Sequence, residues 1–224
     1  MFIAIPFVND AEMTIKCVDS VIKTKMGSDM VMLIPNGASD TTVKQVYDHF
    51  RTIDNGMVLL ADEIRQQKNV GMAAGWNIAM EHITNSEFVC FLHNDTITFK
   101  GWLTEMKLAF DMIDGCAVSF PRQGVIGPRF ATVTDTDEVY GFCFMMRRKT
   151  LIELEGFDTG YTLRPDLDMF VRAQRQGYKL VVANHSTVLH HGGGTTSDMY
   201  SLNAYTKMAL EEMDKINTTS EPRF

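Results

Sequence analysis

An apolar run, Phe88-Val89-Cys90-Phe91-Leu92, stops abruptly at His93, Asn94 and Asp95. A carboxylate at the end of a buried strand is held by a rigid element, as a metal or phosphate site requires. An oxygen ligand of this kind suits Mg2+ or Mn2+, hard cations that bridge phosphates and keep water in their remaining positions. The same residues would also serve as a plain cap on the turn into the next element.

Three further stretches carry possible chemistry. Asn69 to Asn77 places Gly71, Ala73, Ala74 and Gly75 at a helix start. Small side chains there admit a close backbone or a ligand, and free helix-start amides favour anionic or polar groups. Tight packing of helix on sheet explains the pattern equally well. Asp166 and Asp168 precede Arg172. Asp168 and Arg172 have the spacing of a helical ion pair, which leaves Asp166, at the helix start, available as a general base toward a hydroxyl. His190 and His191 stand before a run of glycines. Neutral imidazole is a good Mn2+ ligand. Neighbouring residues on a strand face opposite ways, so only one of the two reaches a common site.

The elements that must position these groups follow from periodicity. Phe2 to Val8 reads as a strand, and Asp10 caps a helix with Ala11, Ile15, Val18 and Ile22 on its apolar face. A second strand, "DMVMLIP", leads through "NGASD" to a helix capped by Asp40 that carries Val43, Val46, Tyr47 and Phe50. "MVLLA" with "GMAAGWNIAMEHI", and "EFVCFL" with "WLTEMKLAFDMI", repeat the alternation. Near-continuous apolar strands alternating with helices predict an α/β fold, a mostly parallel Rossmann-like sheet covered on both faces. Beyond Gly115 the regularity weakens to one clear strand, "YGFCFMMR", a helix near Asp166 to Gln176, a strand "KLVVA" and a last amphipathic helix from Met199 to Ile216. No repeat or linker divides the chain. We therefore expect one domain over 1–224, with a nucleotide-binding half (1–115) and a mixed acceptor-binding half (116–224). Ligands of open α/β sheets collect at the carboxyl ends of the strands. That rule puts Pro6, Asn9, Asn36, Asp62 and the His93–Asp95 turn on one rim.

The 224 residues suffice for a sizeable core, and a formal net charge of −7 gives no general attraction to nucleic acid or anionic membranes. No stretch approaches the roughly 20 apolar residues of a membrane span, and the N-terminus lacks the pattern of a signal peptide. Cys17, Cys90, Cys116 and Cys143 form no CxxC pair and read as buried thiols of a reducing, cytoplasmic compartment. The 16 methionines are scattered and read as core filler.

In order along the chain stand a strand with an Asn-Gly-x-x-Asp turn, an Asn-x-Gly helix start and an apolar strand ending in x-x-Asp. "GFCFMMRR", "GFD", an x-Asp-x-Asp helix with Arg, and His-x-Gly-Gly follow. Over roughly residues 2 to 196 this order resembles glycosyltransferase family 2, the inverting GT-A enzymes. The resemblance implies a GT-A fold and a nucleoside-diphosphate sugar as donor, with Mn2+ or Mg2+ as cofactor. His93-Asn94-Asp95 matches the family's DxD position, whose last Asp holds the metal. Asn69, Gly71 and Asn77 match the segment beside the nucleotide, Asp166 the catalytic base, and His190 the C-terminal histidine near metal and diphosphate, with His191 as its neighbour in register. Two positions depart from the family pattern. Pro35 and Ala38 replace an Asp and a Ser of the turn after the second strand, which shifts base or ribose contacts to Asp62. Pro165 replaces a Glu and removes one carboxylate from the acceptor side.

Rival classes are weaker. A sugar-nucleotide pyrophosphorylase should carry a Gly-rich basic loop after its first strand, and "IPFVNDAEM" lacks it. A dehydrogenase would need GxGxxG after an early strand, and none is present. A non-catalytic nucleotide-sugar-binding protein would have no use for Asp166. The acceptor is open among glycan, lipid-linked sugar, protein and small molecule. A hydroxymethylated base in DNA is a further option, resting on Arg122, Arg129, Arg147, Arg148 and Lys149 in the acceptor half, and the negative net charge opposes it. Nothing in the sequence indicates an oligomeric state.

Overall fold

The computed structural model describes residues 1–53, 58–60, 65–124, 132–136, 141–160 and 165–192. Asp62, Arg129 and the expected C-terminal helix lie outside these residues.

The first half follows the alternation expected from the sequence. Strands β1 (Phe2–Phe7), β2 (Met30–Pro35), β3 (Val58–Leu60) and β4 (Phe88–Leu92) alternate with helices α1 (Ala11–Thr24), α2 (Asp40–Ile53) and α3 (Met72–His82). They pair in parallel in the order β3-β2-β1-β4. The chain then continues through β5 (Thr96–Thr98), α4 (Trp102–Met112), β6 (Cys116–Gln123), β7 (Val133–Asp135), β8 (Cys143–Arg147), α5 (Arg148–Glu153), α6 (Pro165–Arg175) and β9 (Lys179–His190). The sheet extends beyond β4 as β8-β6-β9-β5, with β7 beside β9. β8 runs antiparallel between β4 and β6, whereas β6 and β9 are parallel. The sheet is therefore parallel in its nucleotide-binding-like half and mixed in the rest.

Alternation along the strands divides the core in two. Ile3, Ile5, Val31, Leu33, Cys90 and Leu92 face α1, α2 and α4, while Ala4, Met32, Ile34, Val89 and Phe91 face α3, α5 and α6. Strands buried on both faces need apolar residues at every position, which is why they read as unbroken runs.

Local details correct three expectations. The stripe that α1 buries is Met13, Thr14, Cys17, Val18, Ser20 and Val21, whereas Ala11, Ile15 and Ile22 are only partly covered. The helix faces the polar strand β5 as well as the apolar sheet: Thr14, Ser20 and Thr24 meet Asn94 and Thr98 through their hydroxyls, so hydroxyls belong on the inner face. Asp10 caps α1 as expected, accepting from the Met13 amide. In α2 the capping oxygen is that of Ser39, which accepts from the Thr42 amide, while Asp40 pairs with Arg65. Between "EFVCFL" and the helix expected to follow it the chain adds a further strand, β5, antiparallel to β9.

The turn after β2 packs directly on the Asn69 segment. Gly37 has φ +78°, and a Cβ there would lie 2.1 Å from the Asn69 nitrogen. Gly37→Ala should therefore destabilise the fold by about 2 kcal/mol or more, through left-handed strain plus the backbone collision. Urea unfolding checks this, and an unchanged midpoint would contradict it.

Candidate metal and donor site

β4 delivers its last residues to the carboxyl edge of the sheet, where the chain order reverses between β1 and β4, the switch point at which open α/β sheets bind ligands. A cleft of about 310 Å³ opens there, lined among others by Pro6, Asn9, Asn36, Asn69, His93, Asn94 and Asp95. Asp10, Met13 and Met72 line it too. The sequence reading missed them, although Asp10 sits beside Asn9 and had been assigned only a capping role.

The His93–Asp95 turn is fixed by its surroundings. The His93 amide donates to the Phe142 carbonyl at 2.8 Å, and the His93 carbonyl accepts from the Thr96 hydroxyl at 2.8 Å. The Asn94 amide group donates to Thr14 Oγ1 at 2.9 Å. The Asp95 carbonyl accepts from the His191 backbone N–H at 2.9 Å. The pairing of β5 with β9, in which Thr96 faces His190, brings the far end of the chain to this turn.

One atom each of His93, Asp95 and His190 lies within 4.8 Å of the others. Asp95 Oδ1 is 3.2 Å from His190 Nε2 and 3.9 Å from His93 Nδ1. Oδ1 is nonetheless buried without a well-formed hydrogen bond, so it keeps acceptor capacity that a cation would use. Burial pushes the His93 imidazole down to about 4, the Asp95 charge opposing this only in part; its ring is neutral at pH 7 and its lone pair is available. Burial works to raise the Asp95 carboxyl, but the contact and charge of His190 and the charge of His93 outweigh it and hold the group below its ordinary value. An ionised oxygen and imidazole nitrogens so gathered suit a divalent cation such as Mn2+. His190 brings its imidazole to this cluster and His191 its backbone N–H.

Asp166 is buried in the first turn of α6. Pro165 occupies the first helical position, where a missing N–H costs nothing. Asp168 takes both the Nε and an Nη of Arg172 at 2.8 Å, and Arg172 also donates to the Gly156 carbonyl at 2.8 Å. Asp168 thus forms the expected ion pair and ties α6 to the loop after α5.

Three of the expected nucleotide contacts have structural partners. Asn36, 2% exposed, donates to Asn69 Oδ1 and the Gly71 carbonyl and accepts from the Val70 amide, each at 3.1 Å. It shapes the cleft floor by holding the 69–71 segment, and Asn69 Oδ1 also accepts from the Gly71 amide at 2.9 Å. Asn77 is not among the described residues that line the cleft. Its amide spends both ends on Phe157, donating to the carbonyl at 2.7 Å and accepting from the N–H at 2.9 Å.

Four of the five basic residues considered for DNA are engaged elsewhere. Arg147 pairs with Glu87 and stacks on Phe88, at the start of β4 and therefore the opposite end of the strand from Asp95. Arg148 donates to the Ile83 carbonyl at 2.5 Å, Lys149 lies 3.5 Å from Glu153, and Arg122 forks Asn184 Oδ1.

A family model described as Glycosyl transferase family 2 matches residues 2–163. No curated protein matches the chain. Among solved structures, the chain is similar to GalNAc-T7 with UDP, GalNAc and Mn2+, with a TM-score of 0.71 at 16% identity over 84% of this chain and 43% of that one. It is similar also to the mannosyltransferase PcManGT from Pyrobaculum calidifontis in complex with GDP-Man and Mn2+, with a TM-score of 0.71 at 16% identity over 99% of this chain and 65% of that one. A third, TarS of S. aureus, has a TM-score of 0.65 at 16% identity over 95% of this chain and 39% of that one. The chain spans less than two thirds of each of these proteins. Likeness at this identity speaks of the fold, which is the GT-A arrangement of a partly parallel sheet between helices.

Proposed function

The chain belongs to glycosyl transferase family 2, and from that premise we propose that it moves a sugar from a nucleoside-diphosphate sugar to an acceptor hydroxyl with inversion at the anomeric carbon. The observation that carries this reading is the convergence of His93, Asp95 and His190, two of which, His93 and Asp95, line the cleft at the carboxyl edge of the sheet. Two of the similar structures were solved with a nucleotide or nucleotide sugar and Mn2+.

In this mechanism Asp95 and the two imidazoles hold a divalent cation, which when bound offsets the charge of the departing diphosphate. Pro6, Asn9 and Asn69 border the cleft and form the nucleoside end of the donor site. Asp166 accepts the proton of the acceptor hydroxyl as its oxygen bonds to the anomeric carbon; the bond from that carbon to the diphosphate oxygen breaks and the diphosphate keeps the electron pair. Attack on the face opposite the leaving group gives the inverted product. Among the described residues lining the cleft there is no Lys or Arg, so the reaction should depend strictly on the cation.

No described helix is long and apolar enough to cross a membrane, and the four cysteines are buried and free, which supports a reducing cytoplasm and an acceptor that is soluble or on a membrane surface. The engagements of Arg122, Arg147, Arg148 and Lys149 weaken the DNA-base reading, which would need them along a phosphate backbone.

A thermal-shift panel of UDP-, GDP-, dTDP- and CMP-sugars with Mn2+ or Mg2+ tests the proposal. One nucleotide class should stabilise the protein, by about 2.7 kcal/mol at a hundredfold excess over Kd, and more strongly with Mn2+, because imidazole donors favour it over Mg2+. Stabilisation by none would sink the donor assignment; equal shifts with both cations would remove the imidazoles from the metal.

A further inference from the structure

Resting on that reading, we propose that Phe142 is a positioning residue that holds the metal ligands, and that Gly141 beside it sets the place of the base. Phe142 is 5% exposed, and two different parts of it act on two different ligands. Its ring lies against the His190 imidazole, centroids 4.7 Å apart and planes inclined by 11°. Its carbonyl accepts the His93 N–H at 2.8 Å. The His190 ring is thus set between a parallel aromatic face and the His93 ring, which meets it edge-on at 5.4 Å.

His190 is the last residue of β9, paired with Thr96, so its backbone is fixed and the direction of its ring is left to side-chain contacts. A flat face against the imidazole restricts χ1 and χ2 together, and this costs the protein nothing when a cation arrives. Partners behind metal-bound histidines generally change affinity or activity by about 10- to 100-fold when removed. An aliphatic side chain would keep most of the volume and of the burial but not the planar restraint.

Gly141 performs the other half of the task. A Cβ placed on it would lie 2.0 Å from Asp166 Oδ2 and 2.7 Å from Asp166 Cγ. The carboxylate therefore rests on backbone that only glycine leaves open. The Gly141-Phe142 dipeptide sets the base on one side and the metal ligands on the other, so the distance between the two is fixed by a single peptide unit and not by the long path through β9 and α6. Neither residue itself takes a proton or binds the cation in the proposed scheme.

The experiment separates the two contacts and uses a readout other than turnover. Mn2+ affinity of the full chain is measured by electron paramagnetic resonance or calorimetry for the wild type, F142L, F142Y and G141A, with melting temperature as the control for folding. We expect F142L to bind Mn2+ at least about tenfold more weakly, F142Y to stay within about threefold of the wild type, and G141A to keep its Mn2+ affinity while losing sugar transfer. Should F142L fail to fold, F142M is measured in its place. Wild-type Mn2+ affinity in folded F142L or F142M overturns the positioning role of Phe142, and full transfer activity in G141A overturns that of Gly141. Absence of Mn2+ binding by the wild type would instead overturn the metal reading on which both rest.

Discussion

Asp95→Ala should abolish Mn2+ binding and lower sugar transfer and donor hydrolysis by on the order of a thousandfold or more, with the protein still folded. Asp95 is the only anion of the three candidate ligands. Without it the cation would face imidazoles alone, one of them kept neutral by burial. No described Lys or Arg of the cleft lining could take over the charge of the diphosphate. The fold should tolerate the change because the turn is held by groups other than the carboxylate. The Asp95 carbonyl keeps its bond from the His191 N–H, and Thr96, Asn94 and Phe142 keep theirs. Oδ1 makes no well-formed hydrogen bond, so its removal costs chiefly the 3.2 Å contact with His190 Nε2. Some favourable charge interaction is lost: the carboxyl is held below its ordinary value, so it contributes stability above that value and loses the contribution as pH falls through the folded-state value. At neutral pH the variant should thus melt within a few degrees of the wild type in metal-free buffer. Calorimetric titration with Mn2+ and a coupled assay of diphosphate release decide the matter; undiminished release by a folded variant removes Asp95 from the metal site.

The parallel half of the fold was readable because burial on both faces forces continuous apolar strands, as in Phe88 to Leu92, with every residue buried. Strand direction leaves no such trace. "YGFCFMMR" was recognisable as a strand, yet nothing in it announces that β8 runs antiparallel between β4 and β6. That reversal matters for function, since it puts Arg147 opposite Phe88 and so carries Arg147, with Arg148 and Lys149 next to it in the chain, to the far end of β4 from the site. β6 escaped notice because Ser119, Pro121 and Arg122 interrupt its apolar pattern, and β5 because a strand of three residues has no period to detect. β5 exists through its pairing with β9, a contact made across about ninety positions of sequence, as in Thr96 with His190.

The candidate site was legible in its residue types and less so in their allocation. Alternation along a strand predicted that one of His190 and His191 would reach the site, and the register with Thr96 selects His190. His93, placed by sequence in the DxD-like turn that lines the cleft, is also one of three residues whose atoms could hold a metal ion. Asn36 and Asn77 show the limit of reading amides from sequence. An amide on the rim of a cleft can bind a ligand or satisfy nearby backbone, and the choice depends on whether a loop passes within hydrogen-bond reach. The 69–71 segment does so for Asn36 and Phe157 for Asn77. The role of Gly141 was invisible for a related reason, as only the position of Asp166, some two dozen residues later, makes a side chain there impossible.

Asp166→Asn should lower kcat by about 10²- to 10⁴-fold, the range of a positioned general base, while donor affinity changes little. Asparagine has nearly the shape of aspartate and fits the same space against Gly141, but it cannot take a proton from the acceptor. The carboxylate lies in the first turn of α6 and not among the residues that line the donor cleft, so nucleotide binding should not depend on it. A large rise in donor Kd would therefore move Asp166 out of the base role and into the donor site. A second test uses the nucleophile. Azide arrives without a proton to lose, so transfer to azide should suffer far less from Asp166→Asn than transfer to a hydroxyl. Equal losses for both nucleophiles would indicate that the carboxylate positions the substrates or preserves the site. The configuration of a glycosyl azide formed by the variant, read by NMR, should be inverted relative to the donor, because the base removes a proton and the direction of attack is set by where the acceptor and the leaving diphosphate are held.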